Sequence, residues 1–423
     1  MTLILVASFL VLIVLNVPVA FSLAIASLLA LLYEGFPLTL IIQRMTNAVD
    51  SFILLAVPFF ILAGGLMARS GIAQTVVDFA DSLVGFIRGG LAQVNIATSM
   101  FFGGITGAAV ADTSAVGSVL IPPMLKRNYD AGLTTAVTAA SSTIGVIIPP
   151  SIPMIIFGVI TGVSISRLFL AGIVPGMLIA AALMLITYLI ALRQGFQRTR
   201  ALQLLEIARN FRRSLLALLM PVIIIGGILF GVFTPTESAV VAVVYALLVS
   251  MLIYRTIKPR DLPDILLGAA KTTAVVMLMV AAASLYGWIL TRERVPVHAA
   301  NFISELTTEP LFVLFLIAAV YILFGMIIDL GANIIILVPV LFPVATALGV
   351  DPVHFGIITV VALAIGLVTP PVGACLFVAC GFSKVSLARA SVAVLPYVLT
   401  LIGILILIIL VPELALWVPN TFR

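Results

Sequence analysis

Charge is scarce in this chain. Of 423 residues only 9% are Asp, Glu, Lys or Arg, while 63% are hydrophobic. A soluble domain cannot hide that much apolar surface, so lipid must be the solvent for most of the chain. The net charge of +5 then asks for no nucleic-acid partner. The two histidines, His298 and His354, are isolated, and the two cysteines, Cys375 and Cys380, have no histidine near them. This excludes a zinc site or a disulfide framework, and the cysteines read as small buried hydrophobes. HExxH, GxSxG, Ser/His and paired-Asp constellations are also missing, so the chain is not expected to be an enzyme. The opening segment Thr2–Tyr33 carries no small-residue cleavage site followed by polar sequence, so it reads as a membrane span and not a removable signal.

What is present is a series of hydrophobic runs near the ~20 residues that a span requires. They are Phe52–Met67, Leu170–Leu192, Leu215–Phe233, Ser238–Tyr254, Leu266–Leu290, Leu311–Ile327 and Ala393–Val411. The opening run is broken at Pro18 and reads as one kinked span or two short ones. Between Ile72 and Ile87, Ile72, Val76, Ala80, Leu83 and Ile87 share one helical face. That is an amphipathic helix, lying on the membrane surface or linking two moving parts. Basic residues gather in two loops. One holds Arg193, Arg198, Arg200, Arg209, Arg212 and Arg213, the other Arg255, Lys258 and Arg260. The positive-inside rule puts loops 193–213 and 255–260 in the cytoplasm; the same charge would also suit anionic headgroups. Thr234-Pro235-Thr236-Glu237 fits a capping box, with Thr234 as N-cap and Glu237 reaching back.

One pattern occurs twice. Ile144-Gly145-Val146-Ile147-Ile148-Pro149-Pro150 returns as Ile365-Gly366-Leu367-Val368-Thr369-Pro370-Pro371, and an offset of about 221 residues also lays Gly104 on Gly325, Asp112 on Asn333, Pro122 on Pro343, Asp130 on Asp351 and Thr138 on Thr359. Slightly further on, Arg167 falls on Arg389. Ordered agreement of Gly, Pro and Asp argues for two repeats, halves 1–213 and 214–423. Each would hold a re-entrant hairpin (about 98–125 and 320–347) and a Pro-broken helix (about 131–163 and 353–382), with scaffold and transport parts interleaved. The copies are inverted if each half crosses an odd number of times, which the opening segment leaves open. The fold class expected is an all-α polytopic membrane protein.

Helix breaks inside a bilayer bare backbone groups, and matched breaks point to a substrate and ion site. Proline lacks an N–H and displaces the carbonyl four residues back. Pro149 and Pro370 therefore free the carbonyls of Gly145 and Gly366, and Pro150 and Pro371 those of Val146 and Leu367. Such oxygens make a cage for a desolvated cation, with hydroxyls from Thr143, Ser151 and Thr369. The opposing wall is expected at the hairpin tips: Asp112, Thr113 and Ser114 in the first, Asp329, Gly331 and Asn333 in the second. A carboxylate at membrane depth is a functional candidate by default. Asp112 and Asp329 would be charge partners for two sodium sites, one per half, or would carry protons. Half-helices beginning after the breaks offer N–H groups to an anion, with Ser151, Thr369 and Asn333 as substrate contacts. Lys271 and Arg292 are either cationic helpers or snorkelling charges.

Taken together, Gly104–Met124, Ile144–Gly176, Gly231–Leu248, Gly325–Ile358 and Ile365–Gly373 resemble the large membrane (M) subunit of TRAP (tripartite ATP-independent periplasmic) transporters, over essentially the whole chain. The resemblance implies a multi-pass bacterial inner-membrane permease and sodium-driven symport of organic acid anions such as C4-dicarboxylates or sialic acid, using two or more Na+ ions and no organic cofactor. It implies an elevator motion of hairpins and broken helices against a scaffold. It also implies two partners: a small (Q-type) membrane subunit, expected as a separate chain, and a periplasmic (P-type) substrate-binding protein. Asp112, Ser151, Asp329 and Thr369 match the family's site positions. Ala362, Ala364 and Cys375 stand where members often carry an Asn, an acid and an Asn, which implies a different substrate or a less polar second site. The rival reading is a stand-alone divalent anion/sodium symporter needing no binding protein; a channel is the third.

Overall fold

A computed structural model describes residues 1–194, 203–306 and 309–422; Arg198 and Arg200 lie outside them. All regular structure among the described residues is helical. The opening run resolves as two short helices, α1 (Thr2–Val14) and α2 (Val19–Tyr33), because Pro18 cannot continue a helix. α3 (Thr39–Val49) is followed by α4 (Ala56–Arg69). α5 (Ile72–Val84) is the amphipathic helix, and its apolar face buries Ile72, Val76 and Ala80 against its neighbours α6 and α11, not against lipid.

The first hairpin pairs α6 (Gly90–Thr106) with α7 (Ala109–Lys126). Its tip is only Gly107 and Ala108. α8 (Ala131–Ser141) tightens into a single 3-10 turn at Ser142–Val146, breaks, and resumes as α9 (Ile152–Thr161). α10 (Ile165–Gln194), α11 (Leu204–Leu229), α12 (Pro235–Leu248) and α13 (Leu262–Arg292) are long connecting helices, and α14 (Val295–Leu306) is short. The second hairpin pairs α15 (Pro310–Gly325) with α16 (Leu330–Ala347) around a tip at Met326–Asp329. The run Leu311–Ile327 is therefore one hairpin arm of 16 residues and not a span of its own. α17 (Pro352–Gly366) breaks and resumes as α18 (Ala374–Ser383), followed by α19 (Leu387–Leu410) and α20 (Glu413–Thr421). Among the described residues seven helices are long and apolar enough to cross a membrane, α10, α11 and α19 included. They leave large apolar side chains such as Val222, Val275 and Leu399 exposed, as lipid contact requires.

Matched positions start matched helices. The Asp130 carboxylate accepts the Leu133 N–H at the start of α8, and Asp351 accepts those of Val353 and His354 at the start of α17. Each cap is worth ~1 kcal/mol. Ser164 and Ser386 cap the helices after the half-helices by accepting from Arg167 and Arg389. Thr234 and Glu237 form the reciprocal capping box of α12.

The core sits in the broken helices. Every residue from Gly132 to Val146 is buried, as is every residue from Val353 to Leu367. The buried hydroxyls of the first stretch are satisfied by back-bonding to backbone carbonyls, as Thr134, Thr135 and Thr138 show. The packing is crossed. α9 lies on α16, with Phe157 and Phe342 edge to face at 5.9 Å, and α18 lies on α7 and α8, where the Thr135 hydroxyl bonds Ser383 at 2.7 Å. Each half-helix beyond a break is thus held by the hairpin of the other half.

Candidate functional site

The hairpin tips press against the breaks at backbone distance. Gly107 has φ +63, and a Cβ there would lie 2.7 Å from the Pro150 carbonyl oxygen, so only glycine serves. A Cβ on Gly103 would meet the Gly145 Cα at 2.6 Å, and one on Gly366 would meet Gly325 at 2.5 Å. Both Pro-Pro bonds, Pro149–Pro150 and Pro370–Pro371, are cis. One hydrogen bond stitches each tip to the far side of a break: the Ile152 N–H donates to the Gly107 carbonyl, and the Gly373 N–H to the Met326 carbonyl.

The bared carbonyls are fewer than the prolines suggest. Val146 accepts the Ser151 hydroxyl at 2.5 Å. Gly366 accepts the Thr369 N–H, and Leu367 that of Cys375. The chain turns tightly after each break and brings its own donors back. The Gly145 carbonyl differs. Pro149 and Pro150 have no N–H, and Ile147 and Ile148 both give theirs to Ile144, so Gly145 has no backbone donor among the described residues. The expectation of open amides after the breaks also needs correction. At α9 the Ile152 N–H is taken by Gly107, Pro153 has none, and the Met154 and Ile155 amides go to Ser151. α18 starts on Gly373 without a side-chain cap, and the Ala374 amide has no acceptor among the described residues.

Asp112 is fully buried in the first turn of α7, one turn past the tip, against Gly145; a Cβ on that glycine would lie 3.4 Å from the Asp112 Cβ. Neither carboxylate oxygen has a hydrogen-bond partner among the described residues. The Ser99 and Ser142 hydroxyls sit beside it, and each also has another partner. Ser99 donates to Ser141, Ser141 to Asn95, Asn95 to Thr138, and Thr138 to the Thr134 carbonyl. Ser142 donates to the Thr138 carbonyl. These hydroxyls are engaged with one another and with a backbone carbonyl, and Asp112 is left a buried acceptor. A buried, unpartnered acceptor costs ~1–3 kcal/mol, more when charged. A cation relieves that cost, and an oxygen-only donor set suits a hard one.

The second half is built differently. Asn333, the register partner of Asp112, is also buried and also holds an unpartnered oxygen, Oδ1, while its Nδ2 donates to the Ile328 carbonyl at 2.8 Å. Where the first half has Ser99 and Ser142, the second has Val320 and Leu363. Asp329 caps α16 by accepting the Gly331 N–H at 3.0 Å. It is exposed, and it lines a cavity of about 210 Å³ between the two tips. Gly107–Val110, Val146, Leu367 and Gly331 share that cavity, so both tips and both breaks meet there.

Of the residues picked from sequence, Asp112 and Gly145 touch, and Asp329 and Gly331 share the cavity. Thr113 is buried and back-bonded to Ala109, and Ser114 points outward and bonds Val110. Ser151 and Thr369 repair backbone carbonyls, Thr369 bonding Ile365 at 2.6 Å. Lys271 is exposed and outside the described cavities, and Arg292 stacks on Phe36 at 4.6 Å. Sequence reasoning missed Ser99 and Ser142, and it took the Cys375 side chain for simple packing. The Cys375 thiol is fully buried beside Thr113. Its place one helical turn after the second Pro-Pro pair is the available signal.

The family model "Tripartite ATP-independent periplasmic transporter, DctM component" matches residues 6–414. The chain is 40% identical over 403 residues to the 2,3-diketo-L-gulonate TRAP transporter large permease protein YiaN of Escherichia coli, covering 95% of each. It is 40% identical over 408 residues to the sialic acid TRAP transporter large permease protein SiaM of Vibrio cholerae, covering 96% of each. In fold it is similar to the YdaH transporter of Alcanivorax borkumensis, with a TM-score of 0.65 at 16% identity, covering 90% of this chain and 88% of that one.

Proposed function

This chain belongs to the DctM component family of the tripartite ATP-independent periplasmic transporters, and on that premise we propose that it is the large permease of a sodium-coupled carrier of organic acid anions. It is a transport permease, not an enzyme. The substrates named for the two relatives are both sugar acids, so a carboxylate-bearing sugar acid or dicarboxylate is the class assigned to it. A periplasmic binding protein delivers the anion, and a small membrane subunit braces the permease in the inner membrane.

The observation that carries the sodium assignment is the Asp112 carboxylate: fully buried, with no hydrogen-bond partner among the described residues, flanked by the Ser99 and Ser142 hydroxyl oxygens, and set beside the bare Gly145 carbonyl. Sodium bound there neutralises the carboxylate and ties α7 to the first break. The second half, with Asn333 Oδ1, Thr369 and the tip around Asp329, supplies the other ion position. The anion occupies the cavity between the tips, near the open N-terminus of α18.

Topology supports an inverted pair of repeats. Between α7 and α15 the chain crosses five times, in α8 with α9, α10, α11, α12 and α13, and α14 is too short to cross. An odd number brings the second hairpin in from the opposite face. The described basic residues Arg193, Arg209, Arg212, Arg213, Arg255, Lys258 and Arg260 fall on the first hairpin's face, which is assigned to the cytoplasm. In this reading the hairpins and broken helices move as a block against α4 and α13.

The test is reconstitution in liposomes with the small subunit, a candidate binding protein and an imposed sodium gradient, assayed with labelled carboxylates. Uptake that needs both the gradient and the binding protein supports the reading. Uptake without a binding protein favours a stand-alone symporter, and flux that ignores sodium favours a channel.

A further inference from the structure

The cavity between the tips is not closed. A second cavity, of about 350 Å³, shares Ile61, Ala108, Ile152 and Thr272 with it. The two adjoin at the first hairpin tip, where tip residue Ala108 and the scaffold residue Thr272 line both. The inner chamber offers an organic anion little. Its lining is almost wholly apolar, and its one charge among the described residues is the carboxylate of Asp329. The outer chamber runs between α4, α13 and the first hairpin tip, and it holds two charges, Arg69 and Asp264. Among the described residues that line either chamber, Arg69 is the single cation.

Arg69 is also available to a ligand. It is exposed, and among the described residues it forms no ion pair with Asp264, although the two share the chamber. Asp264 sits in the first turn of α13, where the helix dipole already stabilises its charge. The chamber's outer end lies by the basic loop, since a Cβ on Gly71, two residues beyond Arg69, would touch Thr256 at 4.0 Å. Arg255, Lys258 and Arg260 of that loop, partly offset by Asp261, leave the mouth net positive, and such a field concentrates anions.

We propose that the outer chamber is a second anion site, in which Arg69 receives the carboxylate of the transported anion between the central cavity and the basic face. Arg69 supplies a fork of donors matched to a carboxylate. Asp264 keeps the site shallow, so the anion is passed on and not held. The inference rests on the organic-anion reading given above and adds to it a place and a residue.

The experiment reads chamber charge without needing transport or a known substrate. The full-length chain carrying Ala108→Cys is labelled in inside-out membrane vesicles with anionic 2-sulfonatoethyl or cationic 2-trimethylammonioethyl methanethiosulfonate. Rates are normalised to a free thiol and corrected for labelling of the parent chain, which keeps its native cysteines. With Arg69 present the anionic reagent should be favoured by on the order of tenfold or more. Arg69→Gln should remove the preference, Arg69→Glu should reverse it, and Arg69→Lys should keep most of it. Asp264→Asn should raise it. An unchanged preference in Arg69→Gln overturns the proposal, and so does labelling of the Ala108→Cys chain no faster than the parent background. An anion-selective chamber in a protein that moves no carboxylate would instead count against the function proposed above.

Discussion

The amide of Ile152 donates to the carbonyl of Gly107 across 3.3 Å, joining the tip of the first hairpin to the start of the half-helix beyond the first break. Gly373 and Met326 repeat the arrangement at 3.4 Å in the second half. The tips are therefore part of the breaks, and the site is built from backbone held in place by close glycine contacts. Its charge comes from a few side chains that can be tested one at a time.

Asp112→Asn keeps the shape of the side chain and removes the charge. The half-saturating sodium concentration for uptake should rise at least ~10-fold, each tenfold step being about 1.4 kcal/mol. Sodium titration of uptake at fixed substrate checks this. An unchanged sodium dependence would remove Asp112 from the ion site.

Gly366→Ala should be worse for the fold than Gly145→Ala. The first places a methyl 2.5 Å from the Gly325 backbone, which cannot yield. The second places one 3.4 Å from the Asp112 Cβ and the Gly103 Cα. Overpacking of this kind costs ~1–3 kcal/mol. Detergent melting temperatures should fall in the order wild type, Gly145→Ala, Gly366→Ala.

Asn333→Ala strips the Ile328 carbonyl of its side-chain donor. A loss of ~1–3 kcal/mol is expected, seen as a lower melting temperature. Adding sodium should restore less of it than in the wild type if Asn333 Oδ1 contributes to an ion position.

Arg389, in the first turn of α19, pairs with Asp130, the partly exposed N-cap residue that precedes α8. Partial burial pushes the Asp130 carboxyl up, but the Leu133 amide and the Arg389 guanidinium together outweigh it and hold the group below the ordinary carboxylate range. A carboxyl depressed on folding contributes stability above its unfolded pKa and loses it as pH falls through the folded one. Both side chains are well exposed, so the pair is worth under about 1 kcal/mol. Arg389→Gln should lower the melting temperature slightly near neutral pH. That difference should shrink as pH drops through and below the ordinary carboxylate range, and also in high salt.

The architecture was legible where proline, glycine and aspartate punctuate apolar sequence. The repeated Pro-Pro pair marked both breaks, Asp130 and Asp351 marked the register of the repeat, and Thr234 with Glu237 marked the capping box. The site was only half legible. Counting prolines shows which N–H groups are missing but not which donors return, so Ser151 closing on Val146 and Thr369 on Gly366 could not be foreseen. Ser99 and Ser142 gave no signal in the sequence, because they matter through a fold that brings them beside Asp112. The opening run left its crossings uncounted until Pro18 was seen to separate two helices. Arg69 gave no signal in the sequence, since the chamber it lines is made by α13 and the first hairpin, far away in the chain.

The crossed seating of the half-helices has a consequence for how the protein is made. When a ribosome has finished the first hairpin and α9, the surfaces that hold them, α16 and α18, have not been synthesised. The newborn amino-terminal portion must wait in the membrane with its interior unfilled, shielded by insertion machinery or by lipid, until the last third of the message is read. Gene fragments ending midway should therefore yield polypeptide that is cleared by quality control, and split versions should survive only when both pieces are expressed together.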